Sequence, residues 1–465
     1  MYYLLEMYLK KEASQKTKLE KEQFELLESM SGTVKHFFGG WGKILGKVSD
    51  PRVESLLTYP LPSLLFTGML MYLLRLGSRR QINFYFRKNE NVAEKFHSLW
   101  GIDEVPHGDT VNYAFQKLDV DEIQEIVCRL VEVLIRKKVL DRWRLLGKYF
   151  RVAIDGTGEL TFNERHCENC LTRQFKSGKV LYYHPVVEAK LVTPNGFAFS
   201  IMTEFIENPE DLAEGDKQDC ELKAFKRLAK RLKKRFPRLP ICLLLDGLFA
   251  NGPSMTVCEK NRWKYITVLK DGDLKNLHRS FEVAWGAQKE KHKRMLVGEN
   301  SEITQEYRWE NKIRYEDSEN QVHYPNYAEC VEEKENGTKT KHIWITNITI
   351  SFNTVDVISN NGGRLRWKIE NEGFNVQKNG GYNLEHAYSR DPNARKVFYL
   401  LLQIAHLIFQ LIEKGSLFRK AFPKGLGSQR NLSKRILEAW RNLKICAYDF
   451  HNLGEGRFQI RFDTS

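Results

Sequence analysis

Two five-residue echoes could do chemistry in this chain. Val152-Ala153-Ile154-Asp155-Gly156 and Leu243-Leu244-Leu245-Asp246-Gly247 each run an apolar stretch into an aspartate followed by glycine. Both read as buried strands that end at the aspartate, and in an open α/β sheet the carboxyl ends of the strands line the crevice where ligands bind. If the two strands are parallel neighbours, their carboxylates stand close together. Ionised carboxylates so placed repel and raise each other's pKa unless a cation sits between them, and hard oxygen donors select Mg²⁺ or Mn²⁺. One Asp-Gly alone is an ordinary way to turn at a strand end; two on such similar strands favour a site. A two-metal site for phosphoryl transfer needs a third carboxylate. Glu370 is the candidate, within Arg364-Leu365-Arg366-Trp367-Lys368-Ile369-Glu370-Asn371-Glu372-Gly373-Phe374. On a helix Arg366, Glu370 and Phe374 share a face, which suits a phosphate clamp, a metal ligand and a base contact. An ordinary surface pair is the plain alternative, and Glu372 or Glu385 could take the place of Glu370.

A second constellation is weaker. His166-Cys167-Glu168-Asn169-Cys170 has the two-residue cysteine spacing of a zinc knuckle, and Cys220 could add a further ligand to a structural Zn²⁺ site. Free thiols are the alternative, because no second Cys-x-x-Cys exists. Cys128, Cys242, Cys258, Cys330 and Cys446 stand in apolar or isolated contexts and read as small core residues. There is no Gly-rich phosphate loop, Gly-x-Ser-x-Gly or His-Glu-x-x-His.

The elements that must position these residues divide the chain by character. Residues 1–145 read as a helical N-terminal region, with helices over Lys18–Met30, Ser63–Leu76 and Asp121–Lys138. The basic, aromatic run Arg79-Arg80-Gln81-Ile82-Asn83-Phe84-Tyr85-Phe86-Arg87-Lys88 suits contact with a DNA backbone, or equally a solvated helix face. Residues 146–285 read as strands at Phe150–Asp155, Tyr182–Leu191, Phe197–Ile206, Ile241–Leu245 and Tyr265–Leu269, with helices between the later ones. That order predicts an α/β class, a mixed sheet flanked by helices. Residues 286–351 alternate polar and apolar side chains and read as a β-rich insertion. Residues 352–420 return to helix, with a long buried helix from Tyr382 to about Glu413, and residues 421–465 form a basic, largely irregular tail before a final helix.

Length, charge and cysteine count bound the function. With 465 residues, two to four structural units are expected. Seventy-three Lys and Arg against 59 Asp and Glu leave a net +14, which favours a polyanionic partner such as nucleic acid. The helix Glu221–Phe236 concentrates this charge. Lys226, Arg227 and Lys230 are its candidate backbone contacts, as its cations have no acidic neighbour in sequence after Glu221. Eight scattered cysteines do not make a disulfide scaffold. The apolar stretches Leu56–Leu74 and Val397–Ile412 are interrupted by prolines or polar residues and read as buried helices, not membrane spans. A cytoplasmic protein is expected.

Taken together, the two Asp-Gly strands, the β-rich insertion and Arg366-Trp367-Lys368-Ile369-Glu370 resemble the DDE transposases of bacterial insertion sequences, in particular the subgroup whose ribonuclease-H-like core is interrupted by a β insertion before the glutamate. The resemblance spans about Phe150 to Lys414, with Asp246 91 positions after Asp155 and Glu370 124 positions after Asp246. It implies that Asp155, Asp246 and Glu370 bind two Mg²⁺ or Mn²⁺ ions. Water and then a freed 3′-hydroxyl would attack phosphodiesters, with no covalent intermediate. Trp367 would stack on a displaced base near the cut, a packed core Trp being the more common use of such a residue. The implied partners are double-stranded DNA, both transposon ends and target, and a second copy of the chain, and the implied location is the nucleoid. The subgroup's signature is Tyr, two residues, Arg, three residues, Glu, six residues, Lys. Arg366 and Glu370 match it, but Gly363 stands at the Tyr position and Gln377 at the Lys position, with Lys378 one step later as the candidate phosphate contact. A metal-dependent nuclease of the same fold and a catalytically inactive DNA-binding derivative are the rival readings.

Overall fold

The computed structural model describes residues 2–209, 217–270, 272–288, 292–298, 303–456 and 459–462, with side chains from residue 17 onward. Two units divide the chain: Met1–Arg136 with Asn375–Ser465, and Lys137–Phe374.

The second unit is mixed α/β. Its strands are β1 (Phe150–Phe162), β2 (Leu171–Gln174), β3 (Val180–Val192), β4 (Ala198–Phe205), β5 (Ile241–Leu245), β6 (Lys264–Leu269), β7 (Lys293–Val297), β8 (Ile303–Glu310), β9 (Tyr315–Glu316), β10 (Val322–His323), β11 (Asn326–Lys334) and β12 (Lys339–Thr346). Ten of them form one sheet in the order β2-β3-β1-β5-β6-β12-β11-β8-β7, with β4 also paired to β3; β9 and β10 form a separate hairpin. β1, β5 and β6 are parallel, and the pairings of β3 with β1 and of β12 with β6 are antiparallel. The continuous apolar run of β5 matches its burial at all five positions, since a strand covered on both faces has no side for polar residues.

One expectation changes here. β1 does not stop at Asp155 but continues to Phe162, held by antiparallel pairing to β3 through Phe162↔Tyr182. The β-rich stretch 286–351 joins the main sheet, as β12 pairs directly with β6, Trp344 opposite Val268, and β11, β8 and β7 extend from it.

The first unit is helical: Tyr2–Phe38, Leu61–Leu73, Glu90–Trp100 and Val120–Arg136 join the C-terminal Pro392–Lys414 and Gln429–Asn442 among others. The expected segment 352–420 is therefore divided, its residues from Asn375 onward belonging to the helical unit. The long helix begins at Pro392, not Tyr382. Asp391 accepts hydrogen bonds from the Asn393 and Ala394 amides, and Pro392 stands where a missing N–H costs nothing. The tail after Ala421 is more regular than expected, with helices at Gln429–Asn442, capped by Ser428, and Ala447–Asn452. Among the described residues one helix, Pro392–Lys414, is long and apolar enough to cross a membrane, and 89% of its apolar window is buried in the protein.

Candidate active site

Asp155 and Asp246 are brought together by the parallel pairing of β1 and β5. Val152 lies opposite Leu243 and Ala153 opposite Leu244, so both aspartates emerge at the same end of adjacent strands, where β5 stops and β1 continues. Asp246 caps the short 3₁₀ turn Gly247–Phe249, its Oδ1 accepting from the Leu248 amide at 3.0 Å.

The glycine after each aspartate has a reason other than turning. A Cβ on Gly156 would sit 2.4 Å from Glu221 Oε1, and one on Gly247 would sit 2.6 Å from Asp273 Oδ2. Each glycine makes room for a further carboxylate. Glu221, in the first turn of the helix Glu221–Arg235, is the site residue that sequence reasoning missed. Burial, then the charge of Asp246, pushes its carboxyl pKa up. The available signal was an acidic residue opening an otherwise cationic helix.

Glu370 reaches the site through Arg366. The Arg366 Nη1 donates to Glu370 Oε1 at 2.8 Å and to Asp155 Oδ2 at 3.3 Å. The segment is not a uniform helix: a 3₁₀ stretch, Gly363–Trp367, leads into a π-helical stretch, Ile369–Asn375. It is seated on the sheet by Gly362 and Gly363, where a Cβ would lie 2.4 Å from the Ile266 side chain and 2.2 Å from Trp344 Nε1 respectively. A tyrosine at position 363 would therefore collide with Trp344. Buried Arg151, on β1, donates to the Asn361 carbonyl just before this turn. Of the two alternatives to Glu370, Glu372 is paired with Lys368 at 2.8 Å, and Glu385 belongs to the helical unit, paired with Lys378 at 2.8 Å.

Burial dominates the electrostatics. It pushes the Asp155 pKa up to about 7, helped by the charges of Glu370 and Asp246 and opposed by the Arg366 guanidinium. Beneath lies an ion pair with no solvent contact, Lys190 Nζ to Glu188 Oε2 at 3.2 Å, on β3 beside Asp155. The Ser200 hydroxyl donates to Glu188 at 2.6 Å, and Thr203 donates to the other oxygen. Lys190 Nζ stands 5.6 Å from the Phe374 ring, in the π-helical stretch that carries Glu370.

The donor set fits a divalent cation in kind, since Asp155, Asp246, Glu370 and Glu221 are hard oxygen ligands. The spacing is looser than in a formed cage. Among the described residues, the groups of three or more whose ligand atoms all lie within 4.8 Å of one another are Cys167–Cys170–His184 and His278–Glu282–Glu329, with none drawn from these four carboxylates.

The other expected residues fall as follows. Arg366 is only 6% exposed and already bound to two carboxylates, so it is a link within the site, not an open phosphate clamp. Trp367 is not a core residue: it is 54% exposed, with the Arg366 guanidinium 4.6 Å from its ring. Lys226 and Lys230 are exposed on the basic helix. Arg227 is not, as expected, a cation without an acidic partner: it bonds Glu204 and Asp219, each at 2.6 Å, because β4 and the segment before the helix bring those carboxylates alongside. In the helical unit, Arg79 is bonded to the Tyr388 carbonyl and Asp109, while Arg80 is exposed. Gln377 is buried there, its Nε2 2.8 Å from Gln403 Oε1 and 2.9 Å from His406 Nδ1. Cys220 does not join Cys167 and Cys170; it is exposed at the N-cap of Glu221–Arg235. In comparison with known proteins, no family model and no curated protein matches this chain.

Proposed function

We propose that this chain is a DNA transposase of the DDE type, with a ribonuclease-H-like catalytic unit that cuts and joins DNA ends by phosphoryl transfer. The observation that carries the reading is the linked set Asp155, Arg366 and Glu370, with Asp246 delivered beside Asp155 by the parallel strand β5. Three strands, a helix and then the Asp246 strand next to β1 is the element order that the resemblance implies, once the short β2 is set aside.

Asp155, Asp246 and Glu370 would hold the metal, with Glu221 adding negative charge beside them. A pair of divalent ions, when bound, supplies Lewis acidity for activating water and for stabilising charge on the phosphorus and the leaving oxygen. The chain's own residues do the rest. With its pKa raised to about 7, Asp155 is partly protonated near neutral pH, and a bound cation would favour its charged form by offsetting the neighbouring negative charge. Arg366, tied to both Asp155 and Glu370, holds these carboxylates in register. Exposed Trp367 offers an aromatic face beside the site for an unstacked base. The net +14 and the exposed Lys226 and Lys230 supply affinity for the DNA backbone.

The test uses linear DNA carrying the sequences that flank the coding region, with Mg²⁺ or Mn²⁺. Cleaved ends and joined products are expected from the wild type, and neither from Asp155→Ala, Asp246→Ala or Glu370→Ala, all three still binding DNA. Cutting without joining would make the chain a nuclease. One observation favours an inactive DNA-binding derivative as the second reading: among the described residues, the carboxylate oxygens of Asp155, Asp246 and Glu370 do not all lie within 4.8 Å of one another. Wild-type cleavage matched by Asp155→Ala would overturn the active-site assignment.

A further inference from the structure

We propose that Cys167, Cys170 and His184 bind a structural zinc ion at the Phe162–Tyr182 end of the β1–β3 pairing, apart from the acidic site. The three donor atoms form a closed triangle: Cys167 Sγ to Cys170 Sγ 3.5 Å, Cys167 Sγ to His184 Nε2 3.3 Å, and Cys170 Sγ to His184 Nε2 3.2 Å. Zinc bound at about 2.3 Å to sulfur and 2.0–2.1 Å to nitrogen in a tetrahedron sets ligand–ligand edges of roughly 3.5–3.8 Å. The triangle needs to open by only a few tenths of an ångström to accept the ion. The sulfurs are well beyond the roughly 2.05 Å of a disulfide.

The site is built, not incidental. His184 lies on β3 opposite Leu160 of β1, so strand pairing delivers the imidazole to the loop in which both cysteines stand. Cys170 and His184 are 2% and 1% exposed. The loop closes on itself, the Cys170 amide donating to the Cys167 carbonyl at 3.4 Å. It is then held from outside, with Arg165 donating to the carbonyls of Cys167 and Glu168 and Asn208 Nδ2 donating to the Cys170 carbonyl at 2.9 Å. Ligands fixed in this way lose little entropy when metal binds. The other triad with suitable spacing, His278–Glu282–Glu329, differs in kind. Arg308 bonds both of its carboxylates and Lys341 bonds Glu329, so cations already neutralise it.

His166 stands nearby but outside this triangle, its ring centroid 6.5 Å from that of His184, against roughly 5 Å for two imidazoles on one tetrahedral zinc. The site differs from the expected His166–Cys167–Cys170–Cys220 set by exchanging Cys220 for a histidine fourteen residues after Cys170. Only strand register could reveal that exchange.

The inference does not depend on the transposase reading, because its readout is zinc content and thiolate spectroscopy, not activity. Full-length chain without a histidine tag, purified in reducing buffer, should carry stoichiometric zinc by elemental analysis. Replacement by Co²⁺ should give a thiolate-to-metal absorption band. Cys167→Ser, Cys170→Ser and His184→Ala should fall to background, whereas Cys220→Ser and Cys446→Ser retain the ion and the band. His184→Cys, which keeps a ligand at that corner, should restore binding, separating ligation from a general folding defect. Wild type that takes up no zinc from an equimolar solution, a Cys167–Cys170 disulfide found under reducing conditions, or loss of the ion in Cys220→Ser would overturn the proposal.

Discussion

Replacing Asp155 by asparagine should stabilise the metal-free protein, and only at high pH. The carboxyl is raised from 3.8 to about 7, burial being the largest cause. Because its folded-state pKa lies above the unfolded value, the folded protein keeps the proton where the unfolded chain has released it. The resulting stabilisation is complete below about pH 4, declines as the pH rises towards 7, and above that the penalty of the buried charge is constant. About three pH units at roughly 1.4 kcal/mol each correspond to about 4 kcal/mol. The side chain is 17% exposed, and partial screening brings the expected value to about 2–3 kcal/mol. Asparagine keeps the shape and removes the charge. In chelator-containing buffer near pH 8.5, Asp155→Asn should therefore melt above wild type by roughly 5–10 °C, taking about 2–4 °C per kcal/mol for a domain of this size. Near pH 4 the two should coincide. Added Mg²⁺ should raise the melting temperature of wild type alone, since the cation offsets the charge that asparagine lacks. Thermal melts by circular dichroism across this range make the test. Equal stability at pH 8.5, or a gap that does not change with pH, would refute the claim that Asp155 is held protonated by its surroundings.

Four further outcomes are expected. Arg366→Ala leaves Asp155 and Glu370 without their shared partner and should cost about 2 kcal/mol in urea unfolding, with the Asp155 pKa rising further because the guanidinium is the larger of the two influences that lower it, the Gly156 amide being the other. Gly363→Ala places a Cβ 2.2 Å from Trp344 Nε1 and should destabilise the sheet unit by about 1–3 kcal/mol, read from the same unfolding curves. Lys226→Ala with Lys230→Ala should weaken binding to random-sequence duplex DNA and lower the salt-dependence slope by about 1–2, with little change in melting temperature, since both side chains project from an exposed face. Arg227→Ala, by contrast, should lower stability, because it strips partners from Asp219 and Glu204.

The mixed α/β character was legible where local patterning is strong. The apolar run of β5, the helical repeat of Val120–Arg136 and the amphipathic helix Glu221–Arg235 all emerged where periodicity placed them. That the strands carrying Asp155 and Asp246 are neighbours was legible because the two read alike. Glu221 was not, because its place at the site depends on Gly156 lacking a side chain, a contact across 65 positions that no local pattern records. The merging of β12 with β6 was hidden for the same reason: alternation reveals a strand but not its neighbour. His184 stood in plain view, yet only the register of β3 against β1 aims it at the cysteines. The ion-pair partners of Arg227 lie upstream of their helix, so reading forward from Glu221 found none.

The sealed pair Glu188–Lys190 constrains how this protein can diverge. Losing either member alone strands a charge beyond the reach of water, whereas exchanging both for apolar residues of similar volume is far milder. Evolutionary drift at these two positions is therefore forced to proceed in tandem, and among descendants of this sequence they should be inherited as a couple, either both ionic or both greasy. Intermediates bearing only one should be scarce, and scarcest where Phe374, which leans over the lysine, is unchanged.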